Sequence, residues 1–436
     1  MNDIAGIPYV EAQFDEKASL QGSVTLPAGV TDLFVVSHGW NNNADRARQL
    51  YRLLFENFVA VAQPGDLPGR NFAIVGVIWP SKEFDELVAV ASASGAAEGS
   101  ASLSAAHAQS RQALEAKLER MKAFFAKPAQ ARILDEAKAL LPDLEEKGSA
   151  RRDFVNKIRS LLDPTAANKE DASDSFFKDD GNALMENLKV DEDDLADDVA
   201  GTGGSASLPL GVGTTARAPE GAAGLKGILS GFSAAAMNVL NFTTYFEMKA
   251  RAGTVGKNGV GPLIDTLAPQ VQRIHLVGHS FGGRVVAATA ANSSTDKIRS
   301  LSLLQTAFSH NGFSSRMKGF FRSIVDGHRV NGPILVTHTK NDKAVGLAYP
   351  LAARISGDKT AAFGDEHDVF GGLGRNGAQQ MESGEVVPGT LLAVAASPSY
   401  AFQPQKFFNL EASPFIKGHS DITGKEVAQA IRRAIV

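Results

Sequence analysis

The sequence contains no cysteine. That excludes disulfides, thiol nucleophiles and zinc sites built on thiolate, and it leaves the compartment open. There is no basic stripe. A formal net charge of -4 and a pI near 6.2 give no reason to expect nucleic acid or an acidic membrane surface as a partner. No uninterrupted apolar run approaches the roughly 20 residues of a spanning helix. The first residues carry Asp3 and Glu11 instead of a basic start followed by an apolar stretch, so no secretion signal is expected. These absences describe a soluble, cytoplasmic chain with no transmembrane segment. No H-E-x-x-H occurs, which removes support for a metalloprotease.

What is present suits a globular core. The 436 residues, 44% apolar and 21% charged, are enough for one large domain with an insertion or for two domains. "SVTLP" (Ser23–Pro27), "DLFVVSHGW" and "NFAIVGVIWPS" read as strands, and Ala44–Ala62 reads as a helix with Leu50, Leu53, Leu54 and Phe58 at helical spacing. After Ser81 the character changes. Residues from about Glu83 to Asp163 form amphipathic helix patterns. Lys169–Val199 is strongly acidic, and Gly201–Gly224 has the composition of a flexible connector. The acidic run lacks the central glycine and terminal Glu of an EF-hand loop, so calcium binding is not expected.

Sheet-like patterning then returns. A helical stretch at about Leu225–Ala252 precedes "VQRIHLVGHSFGG", a strand and tight turn. "RVVAATAAN" follows as a helix, "IRSLSLLQTAF", "GPILVTHTKND" and "PQKFFNLEASPF" as strands, and "TGKEVAQAIRRAIV" as a closing helix. The expected class is α/β, a mostly parallel, doubly wound sheet. Residues 1–81 and 223–436 would form its core. Residues 82–222 would form a helical cap insertion with an acidic, flexible C-terminal part.

Gly278-His279-Ser280-Phe281-Gly282 matches G-x-S-x-G between a strand and a helix. So sharp a turn strains the serine backbone, and Gly278 and Gly282 leave room for close packing around an exposed hydroxyl. A serine needs a base. Of the histidines that follow Ser280, His419 lies in a loop after the last strand candidate, where it can reach the elbow. His338 sits in an apolar strand, and His367 is the second choice. Asp342, directly after a late strand, is the candidate acid, with Asp365 and Asp368 as weaker rivals. The backbone N–H groups of Phe281 and Trp40 are the candidate oxyanion donors, with Gly39 allowing close approach and His38 packing the loop. Gly372–Gly377 fits G-x-G-x-x-G, but no strand-to-helix unit surrounds it, so no dinucleotide is expected.

Ser280 in "GHSFGG", "HGWNNN" at His38–Asn43, Asp342 in "NDKAVG" and His419 in "KGHSDI", with "VIWPS" and "LLQTAFSH", resemble the α/β-hydrolase superfamily over about Thr31–Ser81 and Leu225–Val436. The resemblance implies esterase- or lipase-type hydrolysis of a small-molecule or lipid-like ester through a serine acyl-enzyme, with no metal or organic cofactor. An amidase or peptidase using the same residues is an alternative. So is an interaction protein docking through the acidic insertion. The insertion itself lies outside the resemblance.

Overall fold

The computed structural model describes residues 2–81 except 41 and 64, 103–189 except 126 and 170, 231–342, 355–356, 369–395 and 400–436. Cα packing divides the chain into two compact units. The first comprises Met1–Lys82, Met248–Gly346 and Phe363–Val436, and the second Glu83–Glu247 and Leu347–Ala362.

The first unit is α/β. Its ten strands are β1 (Asn2–Ile4), β2 (Ile7–Phe14), β3 (Leu20–Gln21), β4 (Asp32–Ser37), β5 (Phe72–Ile78), β6 (Arg273–His279), β7 (Ile298–Leu304), β8 (Ile334–His338), β9 (Val386–Thr390) and β10 (Phe407–Glu411). They lie in the order β1-β2-β5-β4-β6-β7-β8-β10-β9, with β3 pairing β2. From β2 to β9 every neighbouring pair is parallel, and antiparallel pairing is confined to β1–β2 and β2–β3. Central β4 is buried at all six positions, as its unbroken apolar run requires of a strand covered on both faces.

Alternation along the strands sends Phe34, Val36, Ile74 and Val277 to one face. There they meet Tyr51, Leu54, Phe55 and Phe58 of helix α1 (Ala44–Ala60) and Val427 and Ile431 of the helix Lys425–Ala434. The helix Phe281–Asn292 packs on β4, β6 and β7 and contributes nothing to that cluster. The face of α1 is turned slightly from the sequence expectation: Leu50 and Leu53 are half-buried, while Tyr51 and Phe55 are fully buried.

One strand expectation needs correction, and one strand was not expected. Ser23–Pro27 forms no strand, whereas Ile7–Phe14, broken in pattern by Pro8 and Glu11, pairs with β5 near the sheet edge. Pro8 and Glu11 do not prevent pairing, since β2 meets β5 along Tyr9–Gln13 and β1 and β3 at its two ends.

The second unit is helical: Leu103–Phe124, Pro128–Ala139, Gly148–Arg159, Ser173–Lys178, Gly181–Leu188 and, up to Glu247, the helix Gly231–Thr254. Phe124, Phe125 and Phe176 are buried, with Phe176 4.7 Å from the Phe242 ring and Phe177 5.2 Å from Phe246. These aromatics fill this unit's own core. The first part of the acidic stretch folds into two short helices that bury Phe176, Leu184, Met185 and Leu188. Asp191–Asp198 and the connector Gly201–Gly224 lie outside the described residues. Among the described residues no helix is long and apolar enough to cross a membrane.

Candidate active site

Three loops at the carboxyl ends of parallel strands in the first unit bring Ser280, Asp342 and His419 together. Ser280 follows β6, Asp342 follows β8 and His419 follows β10. His419 Nε2 lies 2.8 Å from Ser280 Oγ, and His419 Nδ1 lies 2.9 Å from Asp342 Oδ2. Acid, imidazole and hydroxyl therefore form one continuous line of hydrogen bonds. Asp342 is fully buried, and the His419 side chain keeps 14% of its surface. His367, Asp365 and Asp368, the rival candidates, lie outside the described residues. His338 ends β8, half-buried.

The elbow has the strain its glycines predict. Ser280 sits at φ 55 and ψ -125, a region that side chains other than glycine rarely occupy. Its N–H donates to the carbonyl of Leu304, and its carbonyl accepts from the N–H groups of Gly283 and Ala307. Neighbouring backbone leaves no space for a side chain beside it. A Cβ on Gly278 would stand 2.4 Å from the Gly282 carbonyl oxygen, and one on Gly282 would stand 2.1 Å from the Ser37 carbonyl oxygen. The result is more enclosed than an exposed elbow, since Ser280 retains 2% of its surface. Gly39 is part of the reason: a Cβ there would be 2.5 Å from the Ser280 Cβ, so the loop after β4 lies directly against the serine.

That loop is held by a set of contacts read from side chains upward. The His38 N–H donates to the Tyr51 hydroxyl at 2.8 Å, and Tyr51 donates in turn to the Val77 carbonyl at 2.6 Å. Trp79 stacks on the His38 ring at 5.6 Å and donates its Nε1–H to the His38 carbonyl. The Trp79 N–H approaches His38 Nε2 at 3.4 Å, so Nδ1 bears the proton and donates to the Gly39 carbonyl at 2.9 Å. Burial pushes the His38 imidazole down to about 4, which keeps it neutral and locks this arrangement. Asn42 Nδ2 donates to the same Gly39 carbonyl. The peptide is trans, so anchoring its carbonyl turns the Trp40 N–H to the opposite side. The Trp40 ring meets Phe281 edge-on at 5.8 Å, beside the first turn of the elbow helix.

His279, next to the serine, was not singled out by the sequence. Its Nε2 donates to the His419 carbonyl at 2.8 Å, and the two rings are 4.9 Å apart. Burial, then the neighbouring His419, pushes the His279 imidazole down to about 3, so it is a neutral strut under the His419 loop. Asn341 supports the acid side: its amide donates to the carbonyls of Ser413 and Ile416, tying the Asp342 loop to the segment after β10. Motif spacing signals neither role, because both depend on which strands lie side by side.

Among the described residues no group of three or more His, Asp or Glu side chains could hold a metal ion. The site offers a paired hydroxyl and imidazole, an acid behind them, and a backbone loop pressed against the hydroxyl. No family model, curated protein or solved structure matches the chain.

Proposed function

We propose that the first unit is an α/β-hydrolase-type domain and that the protein is a serine hydrolase of carboxylic esters. One observation carries this reading: a strained, non-glycine elbow holds the Ser280 hydroxyl 2.8 Å from an imidazole whose other nitrogen meets a buried carboxylate at 2.9 Å. His419 takes the Ser280 proton as the oxygen attacks the ester carbonyl, and Asp342 stabilises the imidazolium that forms. The N–H groups of Trp40 and Phe281 are the donors for the oxyanion. Each such donor is worth about 3–4 kcal/mol in the transition state. Collapse of the tetrahedral intermediate breaks the C–O bond while His419 protonates the leaving alcohol. His419 then activates water, which releases the acid and restores the hydroxyl.

Fluorophosphonate labelling with peptide mapping, run beside a p-nitrophenyl ester series, tests the assignment. The expected result is a single label on Ser280, and loss of both label and turnover in a folded Ser280→Ala variant. Wild-type turnover in that variant would overturn the reading. Turnover of aryl esters with matched amides left intact is expected of an esterase, and the reverse pattern would make the enzyme an amidase.

A further inference from the structure

We propose that Gln305 is a positioning residue for Asp342 and that the Gly372–Gly377 turn is the brace that holds it in place. This rests on the reading of Ser280, His419 and Asp342 as the catalytic set. Gln305 follows β7 and is fully buried. Its Nε2 donates to the Asp342 carboxylate at 3.3 Å and to the Gly374 carbonyl at 2.8 Å. Both partners accept, so the amide has one workable orientation, with its NH2 toward the acid. The donor lands on Oδ2, the oxygen that also meets His419 Nδ1. The acid is thereby gripped from behind on the atom that orients the base.

The arrangement is locally unfavourable in two ways. Gln305 takes φ 43, a left-handed backbone that a residue with a Cβ rarely adopts. Its Oε1 is buried and accepts nothing among the described residues. Each feature costs stability. A methionine or leucine would fill the volume without the orphaned acceptor, so packing does not explain the amide. The donor on Asp342 does.

The role of the glycine-rich turn is visible in what it touches. The Gly374 N–H donates to the Thr306 carbonyl, and its carbonyl accepts from Thr339 N–H as well as from Gln305. A Cβ on Gly374 would stand 2.4 Å from the Gln305 carbonyl carbon, so the turn presses directly on the strained backbone. Arg375 donates to the Lys340 carbonyl at 2.7 Å, two residues before the acid. The turn thus fastens the strand that carries Asp342 to the residue that grips it.

Gln305→Met tests this in the full chain, with p-nitrophenyl acetate as substrate and fluorophosphonate labelling as a second readout. His419 must be neutral to take the serine proton. Without the amide donor, more carboxylate charge falls on the imidazolium, which then holds its proton to higher pH. The expected result is a kcat at least about tenfold lower with KM unchanged. The acidic limb of kcat/KM, and of the labelling rate, should move up by about half a pH unit or more. Gly374→Ala, which displaces Gln305 without altering it, should move the limb the same way and serves if Gln305→Met does not fold. A folded Gln305→Met enzyme, or failing that Gly374→Ala, with an unmoved limb would overturn the proposal, even if its melting temperature fell. Absence of label on Ser280 in the wild-type protein would instead overturn the hydrolase reading.

Discussion

Ser300, His275 and Asp32 form, at the amino ends of the strands, a serine–imidazole–carboxylate line like that of Ser280, His419 and Asp342 at the carboxyl ends, with the two ring nitrogens exchanged. His275 Nδ1 lies 2.9 Å from Ser300 Oγ, and its Nε2 lies 3.1 Å from Asp32 Oδ1. Residue types and distances therefore do not distinguish the two sets. Their settings do. His275 and Ser300 are cross-strand partners in the β6–β7 ladder, buried within the sheet beside a shift of register between Ile274 and His275. Ser280 stands off the end of its strand on a strained turn, and His419 rides a loop. Asp32 is also saturated. Arg70 reaches it with Nε and with a close second nitrogen, and the Thr31 hydroxyl donates at 2.6 Å. Burial alone would raise the Asp32 carboxyl, but hydrogen bonds from His275, Arg70 and Thr31 outweigh it and hold the group below the usual carboxylate range. The amino-end set is a clamp across β4, β6 and β7 that has no room for a substrate carbonyl. A Ser–His–Asp set becomes a candidate for catalysis when the backbone lifts its serine out of the ladder.

Paired substitutions can break that comparison. Asp342→Asn should lower kcat about 10⁴-fold with the fold intact, because the imidazole loses its orienting acid. Asp32→Asn should leave kcat per folded molecule unchanged but destabilise the protein by about 3–5 kcal/mol, since it strands the buried Arg70 cation. Denaturant titration and steady-state kinetics on both variants read this, and equal losses of kcat would erase the distinction.

Acid sharpens it next. Burial depresses the His275, His38 and His279 imidazoles, which favours their neutral forms in the folded chain. The unfolded chain protonates them below the ordinary histidine value of 6.5, so it binds more protons and stability falls as pH drops from there toward their folded values. Between pH 6.5 and pH 5 His38 and His279 should each cost roughly 2 kcal/mol, and His275 acts in the same direction. Urea midpoints across that range measure it, and a flat profile would contradict neutral burial. The smallest effect belongs to Ser300→Ala, at about 1 kcal/mol, with fluorophosphonate labelling unchanged.

The elbow was readable because three signals coincide within twenty residues: an apolar run, glycines around a serine, and a helix-forming run. His419 and Asp342 were readable by chain order, since each loop follows a recognisable strand. The clamp was not. Asp32 and His275 are 243 residues apart, and only the parallel register of β4 against β6 makes them neighbours. Gln305 was hidden for a related reason. It lies within the quoted "LLQTAFSH" stretch, but nothing local tells an amide facing an acid from one facing water. Strand β2 escaped because Pro8 and Glu11 interrupt its alternation, whereas the β-branched residues of Ser23–Pro27 form no strand.

The hydrogen bond from Ser280 to His419 spans 139 residues of chain. A ribosome adding about 5–20 residues per second needs roughly 7–30 seconds to cross that interval. The elbow gains the backbone bonds that hold it only once Leu304 and Ala307 are made, and its hydroxyl meets no imidazole until His419 follows. The contact on which the proposed reading rests therefore closes only after nearly all of the chain has been made.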